Sequence, residues 1–347
     1  MEYKRDLPAD TKEAKAEFLA DISSFANTAG GDLIFGLEES NGVPTTLPGV
    51  DVKDADGLGL RFENMCRDNI EPRIQGLQVR AVPLTSGKHV VVVRINQSWQ
   101  APHRHRQTGV FPARNSRGKY PMDVSELRLA FVNSASLETR VRTFREERTK
   151  LIAGGRAPKP LIKGVCICMH LVPIESAFND RRLDLNSQHN VLYEFRPMGH
   201  HSGMTASVNI DGAIVYTGAE TAYTQLFRSG QVEAVFAYPE APGYEKALWG
   251  EFETHVRAAA ATYLGKLREL EFVGPVAIML TILNAKGTYL HTGAMSRFEA
   301  QEFTQDIIAT PDVVVEDDSE LDARLTELFE VVWNAYGRVR RKDFKPA

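Results

Sequence analysis

The apolar positions of the first hundred residues follow two periods. Phe18, Ile22, Phe25 and Ala29 recur at steps of four, three and four, which places them on one face of a helix. Asp10 or Thr11 is placed to cap its start. Asn27 and Thr28 are weak helix formers, and Gly30-Gly31 accepts the positive φ of a helix C-cap, so the helix stops there. Leu33-Ile34-Phe35 with Leu37 is short and β-prone, and predicts a buried strand over 32–37. Glu38-Glu39 then leads out toward a loop with a turn at Asn41-Gly42. Ahead of the helix, Glu2 to Leu7 reads as a strand stopped by Pro8. Leu58, Phe62, Met65, Cys66 and Ile70 share a face of a second helix over about 56–70, ended by Pro72. Residues 77–83 and 88–95 read as strands around Thr85-Ser86-Gly87, and the unbroken run Val90 to Val93 suits a central strand.

Beyond residue 120 a helix is expected from Asp123, with Val124, Leu127, Leu129, Ala130 and Phe131 available for burial, continuing or restarting through Leu137 to Ile152. Gly154-Gly155 and the prolines up to Pro160 mark a boundary. Val165 to Val172 reads as a buried strand, followed by strands at about 190–196, 204–210 and 213–217, the last two turning at Asp211-Gly212. Another hairpin is expected over 226–235 at Ser229-Gly230. A helix over about 244–270, a central strand over 276–283 and a last helix starting at Ser319-x-x-Asp322 complete the pattern. The fold class is therefore α/β (α+β) in two domains: residues 1–135, a helical linker at 136–160, and an α+β domain at 161–347.

Composition narrows the function classes. At 347 residues with 43% hydrophobic and 25% charged positions, the chain is an ordinary globular one. Its net charge of −4 excludes a generally basic nucleic-acid binder, so such binding must use a local patch. No apolar run reaches the ~20 residues of a membrane span. The first residues lack an apolar signal core, and three cysteines suit a reducing compartment, so a cytoplasmic location is expected. Cys166 and Cys168 alternate on a strand and read as core. His200-His201 reads as loop, and the tail Arg338–Lys342 as a basic complement to the last helix.

Residues 100–120 stand apart. They carry Arg104, Arg106, Arg114, Arg117 and Lys119 with no Asp or Glu. Arginine's fork matches phosphate oxygens, and Phe111 and Tyr120 could stack on bases, so this stretch is the candidate nucleic-acid contact. His103 and His105 read as exposed loop histidines.

Phe25-Ala26-Asn27-Thr28-x-Gly30-Gly31, then Gly36-Leu37-Glu38-Glu39, together with Glu2-Tyr3-Lys4, resemble the Schlafen-type AlbA_2 domain over about residues 1–135. The resemblance implies a mixed sheet with helices. It also implies nucleic-acid binding, as in bacterial members, with RNA ahead of DNA, or, as the alternative, a metal-dependent endoribonuclease with a role in anti-phage defence. The nuclease members use three carboxylates and Mg2+ or Mn2+. On that resemblance Glu2, Lys4 and Glu38 match site positions, with Glu39 the less favoured alternative to Glu38 as metal ligand. The family's first glutamate has no counterpart in the residues given, because counting back five from Glu2 runs off the sequence: either the chain lacks it or the true N-terminus lies further upstream. Read alone, Glu2 is equally a surface strand residue paired with Lys4 or Arg5, and Lys4 equally a phosphate contact. Residues 161–347 resemble no named family. They are expected to engage a protein partner, a signal or a second copy of the chain.

Overall fold

The structure is a computed structural model. It describes residues 1–40, 42–74, 76–177, 182–185, 193–200, 203–239, 246–272, 274–292, 301–341 and 344. The chain divides into two compact units, Met1–Glu138 and Thr139–Ala347, and its fold class is α+β.

In the first unit, strand β1 (Glu2–Lys4) precedes helix α1 (Lys12–Ala26), whose start is fixed by Thr11 Oγ1 accepting the Ala14 N–H at 3.2 Å. Strand β2 (Gly31–Phe35) follows the glycine pair. The segment expected as a loop is instead a small hairpin of β3 (Glu38–Ser40) and β4 (Val43–Thr46), which closes across Asn41-Gly42; Asn41 itself lies outside the described residues. Helix α2 (Ala55–Asn69) starts on the Asp54 side chain, which accepts the Gly57 N–H at 3.0 Å. Then come β5 (Ile70–Glu71), β6 (Gln78–Pro83), β7 (His89–Ile95), β8 (Arg104–His105), β9 (Pro112–Asn115) and β10 (Gly118–Pro121). The main sheet has the order β1-β2-β7-β6, with β1 parallel to β2 and the other pairs antiparallel.

Helices α1 and α2 share one core with this sheet. Phe18 lies 4.6 Å from Phe62 between ring centroids, and Leu33, Phe35, Val91, Val93 and Ile95 complete it. Glu2 and Lys4 sit in register with Leu33 and Phe35. Since side chains alternate along a strand, both polar residues lie on the helix-covered face, at its edge. That placement builds the site described below.

Helix α3 (Val124–Ala153) is one continuous element that begins in the first unit and ends in the second. Asp123 and Glu126 exchange backbone and side-chain hydrogen bonds at 2.8 and 2.9 Å, which makes a capping box. Val124, Leu129 and Phe131, expected to be buried, are exposed. The inward row is Leu127, Ala130 and Ser134, at steps of three and four, and the other three residues fall outside it.

The second unit contains β11 (Cys166–Pro173), β12 (Met204–Val208), β13 (Gly212–Thr217), β14 (Ala222–Phe227), β15 (Val232–Ala237), β16 (Ala247–Trp249), α4 (Phe252–Glu269), β17 (Val276–Leu283), β18 (Tyr289–His291), β19 (Ile307–Ala309), β20 (Val313–Val315) and α5 (Leu321–Ala335). Among the described residues, its large sheet runs β12-β13-β14-β15-β11-β17-β19, with β20 also on β17. Ile167, Met169 and Leu171 point into the main core with α4 and α5. Cys166 and Cys168 point the other way, into a smaller core with Ile152 of α3. On that same side Arg148 of α3 grips Glu233 at 2.7 and 2.9 Å, and His170 and Tyr223 also meet the Glu233 carboxylate. Arg142 and Arg145 bond Asp312 and Thr310. The residues expected as linker up to 153 therefore belong to packed structure.

Further expectations are corrected here. Residues 193–194 form a turn and 195–196 are irregular, and the rest of the strand expected at 190–196 lies outside the described residues. Helix α4 starts at Phe252, because Ala247–Trp249 pairs with β18 in a strand. The last helix is preceded by a 3-10 turn, Asp318–Glu320, capped by Asp317, so Ser319 is not its cap. Arg340 from the basic tail reaches Glu253 at 2.7 Å, and both side chains are nearly buried. Its role is an internal ion pair. His200 bonds the Met198 carbonyl and Thr221, and His201 lies outside the described residues.

Candidate functional site

The glycine-rich motif after α1 works as a bracket. Asn27 donates from Nδ2 to the carbonyls of His103 and Pro112 at 2.9 and 2.8 Å, and its Oδ1 accepts the His103 N–H at 2.6 Å. One side chain thus ties the segment 103–112 to the end of α1. Gly30 has φ +71°, and a Cβ there would stand 2.7 Å from the Ile95 carbonyl oxygen, so only glycine fits against the end of β7. At Gly31 a Cβ would strike the Phe25 ring. That ring in turn carries the Arg114 guanidinium, 3.7 Å above its centroid.

Bracketed in this way, residues 103–121 are largely a strand, β8, and a hairpin, β9 with β10, instead of a loop. Their cations are not uncompensated. Arg104 pairs with Glu71 at 3.0 Å, Arg114 with Glu2 at 2.6 Å and Lys119 with Asp21 at 2.6 Å. Arg117 at the hairpin tip and Arg106 in the turn after β8 are exposed, and neither has an ion-pair partner among the described residues. The aromatics expected to stack on bases are engaged within the unit. Phe111 is half-buried with its ring edge-on to Phe131, and Tyr120 donates its hydroxyl to Glu126 at 2.9 Å. That bond raises the Tyr120 hydroxyl above its usual range. His103 and His105 are buried, not exposed. His103 donates from Nδ1 to the Pro72 carbonyl at 2.8 Å, and burial lowers its imidazole to about 4.

Beside the hairpin lies a compact polar cluster. Lys4 Nζ is 2.6 Å from Glu17, 3.5 Å from Glu2 and 3.5 Å from Asp21. Asp21 is 1% exposed, and burial raises its carboxyl despite the charges of Lys119 and Lys4. Glu2 goes the other way. Burial opposes its ionisation, but the Arg114 hydrogen bond and the cations around it win, so its carboxyl is held low. Lys4 is likewise held above its usual value: burial would lower it, but the bond to Glu17 and the three carboxylates prevail. Asp21 and Glu17 were missed in reading the sequence. The available signal was their i, i+4 spacing, each one residue before an apolar stripe position, Phe18 or Ile22.

The carboxylates matched to a divalent ion do not make a cradle for one. Glu38, on β3, pairs with Arg5 at 3.0 Å and accepts from Thr46 at 2.5 Å, while Glu39 is exposed. Glu2 is bound to Arg114 and Lys4. Among the described residues no group of three or more His, Cys, Asp or Glu side chains is placed to hold a metal ion.

Residues 1–123 match the family model for the Schlafen AlbA_2 domain, so the chain begins with a domain of this type. No curated protein matches the chain. One similar solved structure is the DIP2311 protein from Corynebacterium diphtheriae, at 19% identity and a TM-score of 0.27. The match covers 36% of this chain and 22% of that one, so this chain spans about a fifth of that protein's length. Another is the N-terminal domain of a putative ATP-dependent DNA helicase RecG-related protein from Nitrosomonas europaea, at 20% identity and a TM-score of 0.24, covering 32% of this chain and 72% of that one. Among the described residues, no helix is long and apolar enough to cross a membrane.

Proposed function

We propose that the AlbA_2 domain is a nucleic-acid-binding module that contacts the phosphate backbone, with RNA ahead of DNA on the strength of the family's ribonuclease members. The observation that carries this reading is the bracketed segment 103–121, whose Arg106 and Arg117 are exposed and have no ion-pair partner among the described residues, in a chain of net charge −4. Free guanidinium groups on a fixed strand framework suit phosphate oxygens. Arg104, in an exposed pair with Glu71, supports them as an exchangeable contact, whereas Lys119 is committed to the buried Asp21. The contact is electrostatic and reads shape and backbone, not base sequence.

Each phosphate neutralised releases counterions, at roughly 0.7 to 0.9 in the slope of log affinity against log salt. Arg106→Ala with Arg117→Ala should therefore weaken binding to labelled RNA and reduce that slope by roughly 1.4 to 1.8. Unchanged affinity and slope would show that the interface lies elsewhere. The metal-dependent endoribonuclease reading draws no support from Glu2 and Glu38, whose carboxylates are occupied by arginines. The same assay with Mn2+ and with EDTA is expected to show binding without cutting.

A further inference from the structure

The polar cluster is an alternating run of charges, Arg114–Glu2–Lys4–Asp21–Lys119, with Glu17 branching from Lys4. One oxygen from each of three carboxylates turns toward the Lys4 ammonium: Glu17 Oε1 at 2.6 Å, Glu2 Oε1 at 3.5 Å and Asp21 Oδ2 at 3.5 Å. The second oxygens of Glu2 and Asp21 are held by Arg114 and Lys119, both at 2.6 Å. Three acids face three bases, so the cluster is neutral as it stands. An all-oxygen shell of carboxylates around a positive centre is the environment a hard divalent cation takes. Here the centre is already filled by a side chain of the same chain.

We propose that Lys4 is a built-in cation: its ammonium stands where Glu2, Glu17 and Asp21 would otherwise hold a divalent ion, and the domain meets phosphate without metal. The part of this concerning phosphate rests on the nucleic-acid-binding reading above, and the part concerning the cation does not. A dication brought into the cluster would face the ammonium at ion-pair distance, with no net negative charge left to attract it. Removing the ammonium would leave one net negative charge and three oxygens facing a gap. Reaching the ~2.1 Å of Mg2+ coordination from the ammonium's position asks about 0.5 Å of the exposed Glu17 and about 1.4 Å each of Glu2 and Asp21, which stand at 3.5 Å.

The test is a Mn2+ titration of the full chain, followed calorimetrically and by the Mn2+ paramagnetic resonance signal, with no nucleic acid present. The wild-type chain should show no stoichiometric binding below the millimolar range. Lys4→Ala should take up one Mn2+ at least tenfold more tightly, and Lys4→Ala with Asp21→Asn should lose the gain. Micromolar Mn2+ binding by the wild type, abolished by Asp21→Asn, would overturn the proposal. So would a folded Lys4→Ala variant, by circular dichroism and thermal unfolding, with no gain. Should Lys4→Ala not fold, Lys4→Met keeps the aliphatic stem, and the wild-type titration decides by itself. A separate arm measures RNA affinity in EDTA and in Mn2+. Equal values are expected, and a tenfold gain with metal would refute metal-free contact. No RNA binding in either condition would sink the nucleic-acid reading while leaving the Mn2+ titration standing.

Discussion

Replacing Asn27 with alanine removes three hydrogen bonds at once: two to the carbonyls of His103 and Pro112, and one from the His103 N–H. His103 and Pro112 are buried, so water cannot fully take over. At about 1 kcal/mol net per bond the loss is about 3 kcal/mol, rising toward about 5 kcal/mol where a partner is left orphaned. The effect is local, because it releases the segment 103–121 from α1 while the Phe18–Phe62 core is untouched. Hydrogen exchange on the full chain reads it directly. The amides of His103, His105, Gly109 and Met122 should lose roughly 100-fold in protection, since about 1.4 kcal/mol corresponds to tenfold. Amides of β15 and β17 in the second unit should not change.

Asn27→Asp sharpens the test. It preserves shape and the acceptor for His103, but replaces two donors with a charged oxygen facing two carbonyl oxygens. If the hydrogen bonds are what hold the bracket, the aspartate variant is at least as damaging as alanine. A loss of protection below about fivefold in both variants would mean that the hairpin is held by packing, and that the asparagine of the motif needs another explanation.

Two further outcomes follow from buried charge. His103 has a folded-state value of about 4 against an ordinary 6.5, so below pH 6.5 the unfolded chain binds a proton that the folded chain refuses. Stability should be flat above pH 6.5 and fall by about 1.4 kcal/mol per unit toward pH 4, about 3 kcal/mol in all, with His105 adding in the same direction. Urea unfolding across pH checks this, and His103→Asn that left the slope unchanged would refute it. In the second unit, Arg148→Ala should cost about 3 to 5 kcal/mol by leaving the buried Glu233 without its arginine counter-charge, and adding Glu233→Gln should restore most of it. Glu233 is lowered to about 2, so its contribution is present above pH 4.5 and lost as pH falls toward 2. A loss under about 1 kcal/mol in thermal unfolding of Arg148→Ala would count against the network.

Local pattern was legible wherever one face of an element is buried. The strands β6 and β7 fall at the positions their apolar runs and the turn between them predict, and the hairpins at Asp211-Gly212 and Ser229-Gly230 turn where their glycines allow. Helix α3 shows the limit of the same rule. Five apolar residues near its start suggested burial, but they do not share one row, and Val124, Leu129 and Phe131 face outward. The strand β16 was absorbed into the α4 helix pattern because a three-residue strand has no period to detect.

Charge was the harder quantity to read, for a physical reason. Within residues 100–120 no acid is present, and a count along the chain leaves five cations unbalanced. Ion pairs ignore sequence distance: Arg104 finds Glu71 33 residues away, and Arg114 finds Glu2 112 residues away. Neutralisation is decided by which strands the fold makes neighbours, and a window of twenty residues cannot contain that. The same nonlocality explains why the motif read as a helix ending and nothing more, although it does end the helix. Phe25, Asn27 and the two glycines looked like a helix ending. Their work is to seat Arg114, pin 103–112 and let β7 approach, and through Arg114 they set the charge state of Glu2. What remains for a ligand is the part of the basic stretch that the fold does not use, Arg106 and Arg117, and it is on these two residues that the nucleic-acid reading stands or falls.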